Sequence, residues 1–471
     1  MNLAYIVAAL AASAVSLAQQ NIDLTSKSAV IAAAKAAVWP LQQFYASNTR
    51  GNGAWIEQYD DSHWWESLLS QNVFNPFVIL KGLFNGTKGA EYGCSGIYFD
   101  LFYKYMQYSG DYSTLSFVDT NMQLTVGGNG DFLDGQSAIL EISGRWNDDI
   151  GWWALATMTA AETFGKDAIV AKNNIMQGYN PTYFSLANTT FEQIWMDWDT
   201  TKCGGGIYWS RIRTGNNANL KSTITNVEEM ELGARLYVVT KDQKFKDRFD
   251  VIYAWLKTYK IVDDDYTVHD GLTTDACAVS QELYSYHTGE LMAALGIMYQ
   301  ATNDQNYLDE AHKIFKAVQR LFVDPATNIL NREPSCPDGT TASCGKSPSG
   351  YSFPVYKGLA TLYATSTDNS VKASIATILQ ATAKVNFQGC DSNWYCIRNL
   401  PKDTEFTMQN GTNPRDQFET VSLLNALAVI NGAGLVTAPG ATVTTKSADY
   451  GGAVGMIGAA LAGVLGGWIL F

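Results

Sequence analysis

Apolar positions along the chain recur at three- and four-residue spacing far more often than they alternate, so helix dominates and little of the chain reads as strand. Over residues 28–45, Val30, Ile31, Ala34, Ala37, Val38 and Leu41 fall on one side of a helix. The same period predicts helices over 97–108, 150–164, 227–239, 245–259, 283–299, 307–321, 355–363, 371–385 and 417–430. Most carry an apolar stripe, but 150–164 is apolar or small nearly all round, as expected of a buried helix. A turn recurs between neighbours, at Ser109-Gly110-Asp111-Tyr112, Phe164-Gly165-Lys166-Asp167, Thr240-Lys241-Asp242-Gln243, Thr302-Asn303-Asp304-Gln305 and Thr367-Asp368-Asn369. In each, a helix ends on polar or glycine residues and an Asp is placed to cap the next. The returns come roughly every 55–75 residues, about one helical hairpin with its loops. The expected fold is therefore all-α. A closed ring of hairpins, an α/α toroid whose inner helices line a cleft, is favoured over an open helical solenoid because the informative loops would then converge on one face.

The strongest candidate for chemistry is Arg145-Trp146-Asn147-Asp148-Asp149-Ile150-Gly151-Trp152-Trp153, where two adjacent carboxyls sit at the mouth of the buried helix. Acids there feel the helix's positive end, while indoles beside them lower the local dielectric; together these can hold one carboxyl ionised and its neighbour protonated. Their side chains can lie within roughly 5–5.5 Å, the separation a retaining glycosidase uses. The plainer reading is an acidic helix cap. Trp152 and Trp153 favour the chemical one, since tryptophan faces stack on sugar rings. Further on, Trp195-Met196-Asp197-Trp198-Asp199-Thr200-Thr201-Lys202-Cys203-Gly204-Gly205-Gly206-Ile207-Tyr208-Trp209 joins acids and indoles to a triple glycine, which suits close approach to a ligand or a sharp turn. Two later loops, Tyr266 to Gly271 with His269 and Asp270, and Tyr284 to Gly289 with Tyr286 and His287, add polar aromatic character. A lone His such as His287 serves structure as readily as it meets a sugar hydroxyl.

Charge and composition narrow the field. A net charge of −13 argues against a nucleic-acid partner, which would want a basic stripe. The four histidines lack metal spacing, no serine nucleophile elbow occurs, and Gly339…Gly345-Lys346-Ser347 is one residue too long for a phosphate loop; no metal and no cofactor are expected. Asp263-Asp264-Asp265 reads as a solvated loop.

The seven cysteines point to an oxidising compartment. Cys336 with Cys344 and Cys390 with Cys396 fit local clips, Cys203 and Cys277 a third bridge, leaving Cys94 over. Asn85, Asn188 and Asn410 each begin an N-glycosylation triplet. Residues 1–18 read as a signal peptide ending in Ser16-Leu17-Ala18. Residues 19–435 form the body, roughly 420 residues, long enough for one large toroid. Residues 436–452 are a spacer of small and polar residues, and 453–471 an uncharged Gly- and Ala-rich tail. That layout is a GPI-attachment signal, so the expected location is the outer face of the plasma membrane or the cell wall, with the membrane met through the anchor.

Five motifs in order give a resemblance. They are Asn147-Asp148-Asp149…Trp153…Met158-Thr159-Ala160-Ala161-Glu162; Trp198-Asp199-Thr200…Cys203-Gly204-Gly205-Gly206…Trp209; Val268-His269-Asp270-Gly271; Tyr284-Ser285-Tyr286-His287; and Tyr356-Lys357-Gly358. With these the chain resembles glycoside hydrolase family 76, the α-1,6-mannanases, and within it the fungal, GPI-anchored cell-wall branch of Dfg5 and Dcw1 type. The resemblance implies an (α/α)6 barrel and a retaining mechanism, with Asp148 as nucleophile and Asp149 as general acid/base. It implies α-1,6-linked mannose or the GPI-core glycan as donor. Either water or a glycan hydroxyl, such as that of β-glucan, would then be the acceptor. Expected sugar contacts are Trp152, Trp153, Asp199, Tyr208, Trp209, Asp270, Tyr286, His287 and, through the last motif, Lys357. The rival outside catalysis is a silent glycan-binding wall protein on the same toroid.

Overall fold

Helices in this protein alternate between two burial patterns, and the alternation is the architecture. The computed structural model describes residues 20–46, 92–133, 146–170, 179–215, 217–331, 333–335, 348–397 and 414–433. Among them are twelve α-helices: α1 (Lys27–Ala46), α2 (Tyr92–Ser109), α3 (Leu115–Thr125), α4 (Asn147–Phe164), α5 (Tyr183–Trp195), α6 (Thr223–Thr240), α7 (Gln243–Thr258), α8 (Ser285–Thr302), α9 (Gln305–Leu321), α10 (Pro348–Thr365), α11 (Asn369–Asn386) and α12 (Pro414–Ala428). The odd-numbered helices are amphipathic. In α9, Tyr307, Leu308, Ala311, Ile314, Phe315, Ala317 and Val318 are buried, while Gln305, Asn306, Asp309, Lys313, Lys316, Gln319 and Arg320 face water. The even-numbered helices α4, α6 and α8 are buried along most of their length and on most sides, because each has neighbours left, right and behind.

Those neighbours define a closed ring. α2 packs on α4, α4 on α6, α6 on α8, α8 on α10, α10 on α12, and α12 back on α2. Each odd helix backs onto this inner ring, α5 on α4, α7 on α6 and α9 on α8. The protein is thus an (α/α)6 barrel, and ring closure excludes the open solenoid. The tightest crossing, α8 on α10, needs glycine: a Cβ at Gly289 would lie 2.3 Å from the Val355 backbone nitrogen, and one at Gly358 would lie 2.4 Å from the Gly289 carbonyl oxygen.

The recurrent turns work as expected at three hairpins. Asp242, Asp304 and Asp368 each accept a backbone N–H two residues on and cap α7, α9 and α11, while Lys241 and Asn303 end the preceding helices in left-handed conformation. Two helices went unread in the sequence. One is α3; the other, α5, is capped by Thr182 and buries Tyr183, Leu186, Ala187, Thr190, Phe191 and Ile194 at helical spacing. A small antiparallel sheet was also missed, β1 (Leu220–Ser222), β2 (Gly271–Thr273) and β3 (Ala278–Val279), whose strands are too short to show alternation. β1 runs directly into α6, so the sheet sits at the mouth of the inner ring.

Cys203–Cys277 and Cys390–Cys396 are bridged, two of the three expected pairs. Cys336, Cys344, Asn85, Asn410, the signal peptide, the spacer and the tail lie outside the described residues. Asn188 is half-buried on α5, and Thr190 of its triplet is buried.

Candidate active site

The acid pair sits at the ring's mouth because α4 begins three residues earlier than its apolar pattern indicated. The helix opens at Asn147, so Asp148 and Asp149 occupy its first turn rather than precede it. No side chain caps this end. Instead the Asn147 backbone N–H donates to the Trp209 carbonyl at 2.8 Å, and Trp146 bridges to Ser210. The Asn147 side chain is buried and donates to Asp197 and to the Tyr208 carbonyl, both at 2.8 Å, while Arg211 donates back to it. The glycine-rich loop and the start of α4 are therefore one hydrogen-bonded unit.

That unit delivers an indole to the first acid. The Trp209 Nε1–H donates to Asp148 Oδ1 at 2.7 Å, and the Trp209 ring stacks on Trp146 at 4.3 Å between centroids. Asp148 is 8% exposed and Asp149 half-buried. Burial pushes the Asp148 carboxyl up to about 7; the Trp209 N–H and the free backbone N–H groups of the first helical turn oppose this, and the negative charge of Asp270 adds to it. Beneath the pair, the carboxyl of Glu228 on α6 presses against Gly151, where a Cβ would lie 2.1 Å from its Oε2. Glu228 is buried, and burial first, then the charges of Asp148 and Glu290, raise it well above the carboxylate range, so it is held protonated.

On the far side of the mouth, Asp270 precedes β2 and its Oδ1 lies 2.7 Å from His287 Nε2. His287 is fully buried and the half-buried Tyr286 ring lies tilted against it, 3.9 Å between centroids. The buried imidazole is thus placed to orient Asp270.

The structure places the other expected contacts as follows. Trp153 is wholly buried between Phe99 and Phe132 and is a core residue. Trp152, 8% exposed, turns its ring toward Phe353 and Lys357. Lys357 is inside the ring, its Nζ 2.6 Å from Glu231 and 2.7 Å from Glu290. Asp199 and Tyr208 serve the loop itself: Asp199 accepts from the Thr201 backbone and hydroxyl and from the Tyr208 phenol, and Arg213 lies over the Tyr208 ring. Against partial burial, those bonds and Lys221 hold Asp199 down at about 2. Two residues passed over in the sequence lie at the site, Glu228 and Lys221, and Trp146 was named only as part of the stretch around the acid pair. Trp146 adjoins the acid pair and was legible as a further indole; nothing local marks the other two.

Among the described residues no group of His, Cys, Asp or Glu is arranged to hold a metal ion. The site offers paired carboxyls on one helix turn, an indole donor on one of them, a third carboxyl across the mouth and an aromatic wall.

Fold and site together define a class, an (α/α)6 toroid with an acid pair at the open end of its inner ring. Residues 88–443 match the model of glycosyl hydrolase family 76, and the chain belongs to that family. The mannan endo-1,6-alpha-mannosidase DFG5 of Saccharomyces cerevisiae is 25% identical over 283 residues, covering 59% of this chain and 58% of that protein. The chain thus matches less than two thirds of that relative's length. Among solved structures, Dfg5 from Chaetomium thermophilum in complex with glucosamine superposes with a TM-score of 0.67 at 18% identity, covering 87% of this chain and 92% of that one. An alpha-1,6-mannanase of Salegentibacter sp. HEL1_6, inactivated at two consecutive aspartates and bound to alpha-1,6-mannotetrose, superposes with a TM-score of 0.56 at 17% identity, covering 80% and 99%.

Proposed function

We propose that the protein is a retaining α-mannoside-acting enzyme in which Asp148 is the nucleophile and Asp149 the general acid/base. The observation that carries this is the Trp209–Asp148 hydrogen bond at the first turn of α4, beside a second, more accessible carboxyl. Asp148 attacks the anomeric carbon as Asp149 protonates the departing glycosidic oxygen, giving a glycosyl-enzyme ester. Asp149, now a carboxylate, deprotonates the incoming hydroxyl, which displaces Asp148 and restores both groups. The indole N–H and the helix amides stabilise the Asp148 carboxylate that attacks and later leaves, while burial keeps it poorly solvated and reactive. Asp270, aimed by His287, is the sugar-hydroxyl acceptor across the cleft; the Trp146–Trp209 stack is its apolar wall.

The Salegentibacter protein, disabled at adjacent aspartates while holding an alpha-1,6-mannotetrose, supports the same chemistry and linkage here. A signal peptide and a GPI-attachment tail, as read in the sequence, support a surface-anchored enzyme that transfers rather than digests. Its donor is then the mannose core of a GPI glycan and its acceptor a β-glucan. The disulfides fit that secretory route.

Mass spectrometry of products from an α-1,6-mannose-containing GPI-core glycan, with and without a β-glucan oligosaccharide, tests this using wild type and Asp148→Asn. Acceptor-linked product that disappears in the variant is expected. Free sugar alone makes it an endo-α-1,6-mannanase. Binding without turnover in any arm overturns the enzyme reading in favour of a glycan-binding wall protein.

A further inference from the structure

Lys221 is fully buried, and its ammonium is surrounded by loop backbone. Its Nζ donates to the carbonyl oxygens of Asp199, Lys202 and Gly205, each at 2.6 Å, and lies 3.5 Å from the Asp199 carboxylate. Its fourth side faces the Tyr208 ring, 4.9 Å from the centroid. Three carbonyls and a carboxylate around one positive charge is the arrangement that loops elsewhere build around a metal cation. Here a lysine of the same chain supplies the charge. Three carbonyl dipoles pointing at one spot repel one another, and the charge and N–H donors of the ammonium offset that repulsion.

The position of Lys221 links the two sides of the mouth. It is the central residue of β1. The carbonyl of its neighbour Leu220 accepts the backbone N–H of Trp209 at 2.9 Å. Its strand partner β2 begins at Gly271, next to Asp270, and is so close that a Cβ at Gly271 would lie 2.4 Å from the Lys221 carbonyl oxygen. The loop it gathers is fastened at its apex by Cys203–Cys277 and by the Trp255 Nε1–H donating to the Cys203 carbonyl at 3.0 Å. Gly205 and Gly206, both at positive φ, turn the chain back toward Trp209 with no room for a Cβ against Trp198 and Trp255.

We propose that Lys221 is a positioning residue, an internal cation that shapes the 199–206 loop and so sets Trp209 on Asp148 and Asp270 opposite it. This rests on the reading of Asp148 as nucleophile only for its kinetic consequence; the structural claim stands without it. The ammonium is needed as a charge with N–H donors, rather than as packing, so a small ammonium ion should replace it when the side chain is shortened.

The test is Lys221→Ala with ammonium chloride, against tetramethylammonium chloride at equal ionic strength, which has no N–H to donate. Hydrogen exchange of the amides over 199–209 is expected to accelerate in the variant and to slow again with ammonium alone. In parallel, kcat should fall roughly a hundredfold with KM little changed, the acid limb of the pH profile should move alkaline because Trp209 no longer donates to Asp148, and ammonium should restore both. Unchanged exchange, or faster exchange that ammonium leaves untouched, overturns the proposal. If the alanine variant does not fold, Lys221→Met, which keeps the stem's packing, carries the test: wild-type exchange and wild-type kcat in it overturn the proposal, and faster loop exchange at a near-normal melting temperature supports it. An inactive wild type would sink the enzymatic reading while the exchange result still decides this one.

Discussion

Asp148 and Glu231 are both buried carboxyls on inner-ring helices, yet they stand at opposite ends of the protonation scale. Glu231 lies in the barrel interior among Lys357, Arg235 and Lys104, which overcome its burial and hold it down at about 2. The same group includes Glu162, paired with Arg235 at 2.8 Å, and Glu290, which burial and the Glu231 charge keep protonated. Asp148 sits at the mouth, where an indole N–H and helix amides donate to it and Asp270 faces it, and burial raises it to about 7. Burial is common to both; a neighbouring cation is what differs. The interior network is built for rigidity. The mouth leaves the Asp148 carboxyl near neutrality, so the fraction in its ionised, attacking form rises through that range.

The comparison breaks first at the mouth. Asp148→Asn should remove turnover by roughly a thousandfold or more while the fold persists, since it deletes the nucleophile and keeps the shape; steady-state assays with circular dichroism check both halves. The interior should respond in the other currency. Lys357→Met leaves Glu231 and Glu290 without their ammonium and should cost about 3–5 kcal/mol of stability by denaturant titration. A loss of activity in that variant without loss of stability would return Lys357 to the cleft.

Smaller effects sharpen the account of Asp148. Trp209→Phe keeps the ring but removes the N–H, so the acid limb of kcat/KM, expected near 7 in wild type, should move up by roughly one to two pH units. The smallest effect concerns folding. A carboxyl raised from 3.8 to about 7 binds its proton more tightly folded than unfolded. Stability therefore declines as pH rises from about 4 to 7, and the full penalty is present above that. Asp148→Asn should accordingly melt a few degrees above wild type at pH 8 and level with it at pH 4, measured by calorimetry.

Much of this was legible in the chain. The period of the inner and outer helices is local, as are the Asp caps at 242, 304 and 368, so hairpin and ring followed from pattern. Asp148, Asp149, Trp209 and Asp270 were legible as candidates because their residue types in that order suit the proposed chemistry. Orientation was not: adjacent indoles at 152 and 153 point to different neighbours, Trp153 to Phe99 of α2 and Trp152 to Phe353 of α10, and a linear motif around Lys357 does not say that two glutamates from other helices meet it. Lys221 and Glu228 are the extreme case. Lys221 is gathered chiefly by three loop carbonyls and Glu228 packs against Gly151, contacts that leave little trace in side-chain pattern.

The most direct test of the acid pair is the anomer first released from α-1,6-mannotetraose, followed by proton NMR during early turnover with wild type and Asp148→Asn. The account predicts the α anomer first, mutarotating later, and no product from the variant. A β anomer as first product, or sustained turnover by Asp148→Asn, would contradict it.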